Sequence, residues 1–237
     1  FGRFWDGSFY GNLPYFDGLK LDPDLGFSLE NTWAASNDLG IEYSLQYFVN
    51  DGRTNGSLAD GALTMPRDTI GDKVSRQRNS FVARVAPTYK VTDDLALTLG
   101  ISGQVFHSYF PGNENEEVDR GAVEGAIVWG PFTIFGEVAF QNGHHVLNYP
   151  TPGDPSDHNR YVMAGATYTW DKLTFRYDYS AAAYDNRIRE QMHMPAVVAA
   201  VHKHLSIWFE YVYWRQAQPG NDVTFDRSAN IVLDIHF

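Results

Sequence analysis

Residues 95–105, LALTLGISGQV, decide how the chain is read. Leu95, Leu97, Leu99, Ile101 and Val105 take one parity; Ala96, Thr98, Gly100, Ser102 and Gln104 take the other. Successive side chains of a strand point to opposite faces, so this stretch is a strand with one apolar and one polar face. At helical spacing the same apolar residues would scatter around the cylinder. The pattern recurs on both sides. In 39–50, LGIEYSLQYFVN, residues Leu39, Ile41, Tyr43, Leu45, Tyr47 and Val49 stand against Glu42, Ser44, Gln46 and Asn50. In 173–181, LTFRYDYSA, residues Leu173, Phe175, Tyr177 and Tyr179 stand against Thr174, Arg176, Asp178 and Ser180.

Eleven such segments follow one another, at 25–36, 39–50, 78–91, 95–108, 120–130, 132–142, 160–170, 173–184, 193–202, 204–216 and 225–237. Most far exceed the average strand of about 5–6 residues. They match the roughly 9–11 residues a strand needs to cross a bilayer. The connections alternate in length. SND at 36–38, TDD at 92–94, GP at 130–131, DK at 171–172 and HKH at 202–204 are tight. Those at 51–77, 109–119, 143–159, 185–192 and 217–224 are long. Short turns at one end and long loops at the other are the topology of a membrane barrel; a soluble sandwich has no reason to sort them.

Composition agrees. Cysteine is absent, which excludes a disulfide framework and a thiolate metal site. The net charge of −11 argues against nucleic acid, which calls for a basic face. No run approaches the roughly 18 apolar residues of a membrane helix, a test that alternating strands fail by construction. Aromatic residues make up 15% of the chain, and many flank the short turns: Trp33, Tyr89, Trp129, Phe132, Trp170, Phe175 and Phe237. Such rings form girdles at membrane interfaces. The chain opens FGRFW, with neither Met nor a leader pattern, so Phe1 is expected to be a processed start or the beginning of a fragment.

Two stretches carry a family resemblance: GFSLENTWAASNDLGIEYSLQYF at 26–48 and the closing LDIHF. With them the chain resembles Gram-negative outer-membrane porins over residues 25–237. The resemblance implies an all-β transmembrane antiparallel up-and-down barrel as a single domain over 1–237. It implies that Ile231, Leu233, Ile235 and Phe237 form the signal read by the outer-membrane assembly machinery. It also implies contact with membrane lipid and lipopolysaccharide, and a homotrimer, as in many porins. Two strand counts stay open. Residues 1–11 complete a twelve-stranded barrel, or the segments are the C-terminal eleven strands of a sixteen-stranded porin. In the second case residues 6–24, which include Asp6, Tyr15, Asp17, Lys20, Asp22 and Asp24, correspond to the loop that folds inward and constricts the pore.

Charged residues of the polar parity are expected inside, because a charge facing lipid costs about 2–4 kcal/mol near the midplane. The candidate pore-lining residues are Glu30, Glu42, Arg78, Arg84, Arg120, Glu124, Glu137, Arg176, Asp178 and Glu210, with Lys90 and Asp234 at the ends. A wet interior of mixed sign suits passive diffusion of small hydrophilic solutes or ions. The acids Glu114, Glu116, Glu117 and Asp119, placed in a long loop, would favour cations weakly at the mouth. No cofactor and no resident metal are expected. His144–His145 and the pair His202 and His204 lack a third ligand at a diagnostic spacing. Nor is catalysis expected: His107 and Ser108 are neighbours in sequence and so point to opposite faces of a regular strand. The reading from another class is a scaffold barrel holding a partner protein.

Overall fold

The computed structural model describes residues 25–51, 69–70, 73–74, 76–110, 113–146, 155–184, 189–217, 220 and 222–235. The strands are β1 (Leu25–Ala34), β2 (Leu39–Asp51), β3 (Thr69–Ile70), β4 (Lys73–Val74), β5 (Arg76–Lys90), β6 (Leu95–Phe110) and β7 (Asn113–Trp129). They continue with β8 (Phe132–Val146), β9 (Pro155–Trp170), β10 (Leu173–Tyr184), β11 (Arg189–His202), β12 (Leu205–Ala217) and β13 (Thr224–Ile235). All but β3 and β4 form one eleven-stranded sheet in which each strand lies beside its predecessor and its successor. Every adjacent pair is antiparallel, as in β1–β2, β6–β7 and β12–β13. This is the up-and-down meander that the alternating segments predict. β3 and β4 pair only with each other, inside the connection between β2 and β5.

The tight turns have local causes. In the first, Ser36 Oγ accepts the amides of Asp38 and Leu39, and Leu39 carbonyl accepts the amide of Ala35 at 2.9 Å. In the second, Thr92 Oγ1 accepts the amide of Leu95 at 3.1 Å. Gly130 and Asp171 open the third and fourth with φ of +53° and +51°. Glycine adopts that left-handed backbone without strain, and aspartate tolerates it better than most residues.

The long connections come out shorter than expected. The stretch 109–119 is no loop: β6 runs to Phe110, β7 starts at Asn113, and those two residues pair. Glu114, Glu116, Glu117 and Asp119 therefore lie along β7, opposite Tyr109, Ser108, His107 and Val105. Their composition reads as loop, but pairing to β6 recruits them, since a ladder continues wherever the partner strand continues. Likewise β8 extends to Val146, β9 starts at Pro155 and β11 starts at Arg189.

Solvation is inverted relative to a soluble domain. One face carries exposed apolar side chains: Phe27 (71%), Leu99 (61%), Val123 (52%) and Ile231 (71%). The opposite face buries charged ones: Arg84, Arg120, Glu124, Glu137, Asp178 and Glu210. Water-soluble folds do the reverse. On the apolar face β9 shows, from its turn upward, Trp170, Tyr168, Ala166, Ala164 and Val162, then Arg160. β7 shows Trp129, Ile127, Gly125, Val123 and Gly121, then Asp119. β8 shows Phe132, Ile134, Gly136, Val138 and Phe140, then Asn142. The change comes about ten residues from the turn, roughly 33 Å along a strand at about 3.3 Å per residue. At a tilt of about 40° that is roughly 25 Å of height, the thickness of the apolar band of an outer-membrane barrel. Trp33, Tyr89, Trp129, Phe132, Trp170 and Phe175, all exposed, rim the turn end of the band.

Candidate functional site

The polar face is organised by a network across β2, β5, β6 and β7. Arg84 on β5 donates through Nη1 to Glu42 Oε1 on β2 at 2.7 Å, and through Nε to Glu124 Oε1 on β7 at 2.9 Å. Its Nη2 also contacts that Glu124 oxygen. Strand β6 stands between β5 and β7, so Glu124 has to cross it. The β6 residue opposite Glu124 is Gly100. A Cβ on Gly100 would lie 2.5 Å from Glu124 Oε1 and 2.7 Å from its Cγ. The missing side chain is the channel through which the carboxylate reaches the guanidinium. Glu137 on β8 is the cross-strand partner of Glu124, and both are buried.

Farther from the turns a second chain crosses four strands. Gln104 Nε2 donates to Ser80 Oγ at 2.9 Å. Arg120 donates through Nη1 to Gln104 Oε1 at 3.1 Å and through Nε to Gln141 Oε1 at 2.8 Å. The Arg120 guanidinium also lies 4.5 Å from the centre of the Phe106 ring. Gln104, Arg120 and Gln141 are successive cross-strand partners, so register alone brings them together. On β10, Arg176 and Asp178 share a face two residues apart and form a two-pronged ion pair, with Nη2 to Oδ1 at 3.2 Å. Glu30 accepts Gln46 Nε2 at 2.6 Å, and Glu210 is buried opposite Asn230. At the turn end of β5, Lys90 Nζ lies 2.8 Å from Asp93 in the second turn; its hydrogen bond and charge hold that carboxyl below the usual range.

The described pore-lining candidates thus share one face, and Glu42, Arg84 and Glu124 come into direct contact. Arg78 lies on β5 opposite Asn50 and His107, and its side chain lies outside the described residues. Residues 6–24, with Asp6, Tyr15, Asp17, Lys20, Asp22 and Asp24, lie outside them as well. Ile231 and Leu233 are exposed on the apolar face, Ile235 ends β13, and Phe237 lies outside the described residues. Sequence reasoning passed over Gln104, Gln141 and Ser80 because they are uncharged, and Glu190 because it fell in an expected loop. The parity Glu190 shares with Met192 and Met194 was a usable sign. On the same face Tyr161, Tyr184, Met192, Met194 and Val212 pack as an apolar cluster, with Trp214 against it. Among the described residues no group of three or more His, Asp or Glu side chains has the arrangement of a metal site.

No protein-family model and no curated protein matches the chain. Solved structures do. The outer membrane channel DcaP of Acinetobacter baumannii superposes with a TM-score of 0.58 at 12% identity, over 89% of this chain and 62% of that one. The CymD monoaromatic hydrocarbon channel gives 0.43 at 10% identity, over 90% of this chain and 78% of that one. The chain therefore spans less than two thirds of the length of DcaP. An eleven-stranded antiparallel meander with an exposed apolar band, a buried polar face and that superposition has the up-and-down β-barrel fold of outer-membrane channels.

Proposed function

We propose that the protein is an outer-membrane porin of a Gram-negative bacterium, passing small hydrophilic solutes or ions by passive diffusion with a weak preference for cations. One observation carries the reading: the buried charged side chains, Arg84, Arg120, Glu124, Glu137, Asp178, Glu190 and Glu210, lie on the face opposite a roughly 25 Å apolar band, where a bilayer requires charge to be. In this reading Glu30, Glu42, Arg84, Arg120, Glu124, Glu137, Arg176, Asp178 and Glu210 line the interior, together with Arg78. Residues 6–24 narrow it. Ile231, Leu233, Ile235 and Phe237 engage the assembly machinery. The short turns face the periplasm, and the barrel assembles as a homotrimer. The cation preference follows from inward acids exceeding inward bases, since a ring of one sign raises the local concentration of the other.

The packed cluster of Tyr161, Tyr184, Met192, Met194 and Val212 favours a second reading, a filled barrel serving as a scaffold for a partner protein. Single-channel recording in planar bilayers separates the two. Discrete conductance steps in proportion to bulk conductivity are expected of the porin. A folded, inserted protein with no steps would replace that reading with the scaffold.

A further inference from the structure

We propose that the inner face at the turn end of β10–β12 carries a binding groove for a neutral hydroxylated solute, a small saccharide or polyol. Strand β11 is its floor. Ala196, Val198 and Ala200 take the inward parity there, and all three are short. Taller residues flank them. Arg176 and Thr174 on β10 pair with Ala196 and Val198. Glu210, Trp208 and Ser206 on β12 pair with Ala196, Val198 and Ala200. The two walls stand two strand spacings apart, about 9–10 Å, with room for one ring over the floor. The groove opens toward the turns. Met192, Met194 and Glu210 are buried, Arg176, Val198 and Trp208 are half-buried, and Ala200 is exposed.

The chemistry of the walls selects the solute. Trp208 Nε1 donates to Ser206 Oγ at 3.2 Å, which lays the indole along its own strand toward the turn. Ser206 Oγ lies 3.5 Å from Asp234 Oδ2, so the indole is held from behind. Arg176 gives Nε and Nη2 to Asp178, which meets its charge; Nη1 has no partner among the described residues and stays a donor. An indole face takes the C–H face of a sugar ring, and the ring's hydroxyls need donors and acceptors at the rim. Hydroxyl side chains are both. They continue beyond Thr174 as inward cross-strand pairs, Thr169–Thr174, Thr133–Thr167 and Thr88–Thr98, the first and last with Oγ1 atoms 3.2 and 2.8 Å apart. Ions fit less well. An anion drawn to Arg176 meets Glu210 across the floor, and a cation drawn to Glu210 meets Arg176. An apolar solute would strip water from Thr174 and Arg176 and return no hydrogen bond. The inference rests on the aqueous lumen proposed above and names a solute class for it.

The test is calorimetric titration of the whole folded protein in an amine-oxide detergent, which carries no sugar of its own. Maltotriose is the titrant. A polyethylene glycol of similar mass, lactobionate and benzyltrimethylammonium are the comparisons. Maltotriose is expected to bind saturably, about fivefold tighter or better than any of the three, with little dependence on salt. Trp208→Ala, and Val198→Trp by filling the floor, are each expected to weaken it about fivefold or more, and Trp208→Phe to keep most of it. Absence of saturable maltotriose binding in the wild type would overturn the groove. So would equal or tighter binding of any comparison solute, or full affinity in both Trp208→Ala and Val198→Trp. If neither variant folds, the wild-type ranking of the four solutes decides. Conduction fails separately: a protein that binds maltotriose without conductance steps in planar bilayers would overturn the porin and keep the groove, and one that conducts without binding would do the reverse.

Discussion

Gly100 matters through the side chain it lacks. Its backbone is ordinary strand, but Glu124 lies over it on the way to Arg84. Gly100→Ala puts a Cβ against the Cγ and Oε1 of Glu124, so the whole side chain has to change rotamer and leave the guanidinium. Hydrogen bonds to charged groups contribute about 1.5–3 kcal/mol each. Gly100→Ala is therefore expected to cost about 2 kcal/mol in urea unfolding from lipid, and little in a Glu124→Ala background, because the clash partner is then gone. A full cost in both backgrounds would show that Gly100 acts through the strand and not through Glu124. Arg84→Gln attacks the same network from its centre. It removes the cation that both Glu42 and Glu124 contact, and breaking the buried Arg84–Glu124 pair costs about 3–5 kcal/mol. Stability unchanged in Arg84→Gln would mean that water, not Arg84, solvates these acids. The charged members of this network were legible because strand parity assigns them a face. The role of Gly100 was not, since it depends on the register of β6 against β7, which no local pattern records.

At the level of elements, lipid and not a protein core decides what each strand shows outward. The alternation of 95–105 is local and fully visible in sequence. Strand ends are less so: Glu114–Asp119 looks like loop until β6 is set beside it. The band gives a depth scale that mutation can read. Val123 lies near its middle, about six residues above Trp129, and Asn142 lies at its upper edge, where it donates to Asp119 Oδ2 at 3.0 Å. Val123→Arg is expected to destabilise the folded barrel by about 2–4 kcal/mol, and Asn142→Arg by about 0–1 kcal/mol, in unfolding from lipid vesicles. Equal costs at the two sites would remove the depth assignment, because in water an arginine at either exposed position would be nearly neutral. The same scale explains the turn-end aromatics. Trp33, Trp129 and Trp170 are exposed where a soluble protein would bury them, and an interface accepts a ring with one wet edge.

For the whole molecule two constraints meet. Strands β1 and β13 end the described sheet, and in hydrocarbon a free strand edge leaves unpaired amides and carbonyls at several kcal/mol each. In a bilayer those edges must be met by each other or by further strands, and either closure encloses the polar face. Among the described residues the charge on that face is unbalanced. Arg84 is held by Glu42 and Glu124, Arg176 by Asp178, and Arg120 by the amides of Gln104 and Gln141. Glu137, Glu190 and Glu210 are further buried acids on that face, with Asp226 and Asp234 toward its β13 edge. Under the proposed porin reading, an excess of acids on that face would favour cations as long as the solution does not screen it. The Debye length is about 30 Å at 0.01 M and about 3 Å at 1 M salt. The potassium-to-chloride permeability ratio from reversal potentials is thus expected to exceed unity clearly at low salt and to fall toward unity at 1 M. Glu137→Gln combined with Glu210→Gln is expected to lower the ratio at low salt, and Arg84→Gln to raise it. A ratio below one at low salt, or one indifferent to all three substitutions, would place the selecting charges elsewhere than on this face.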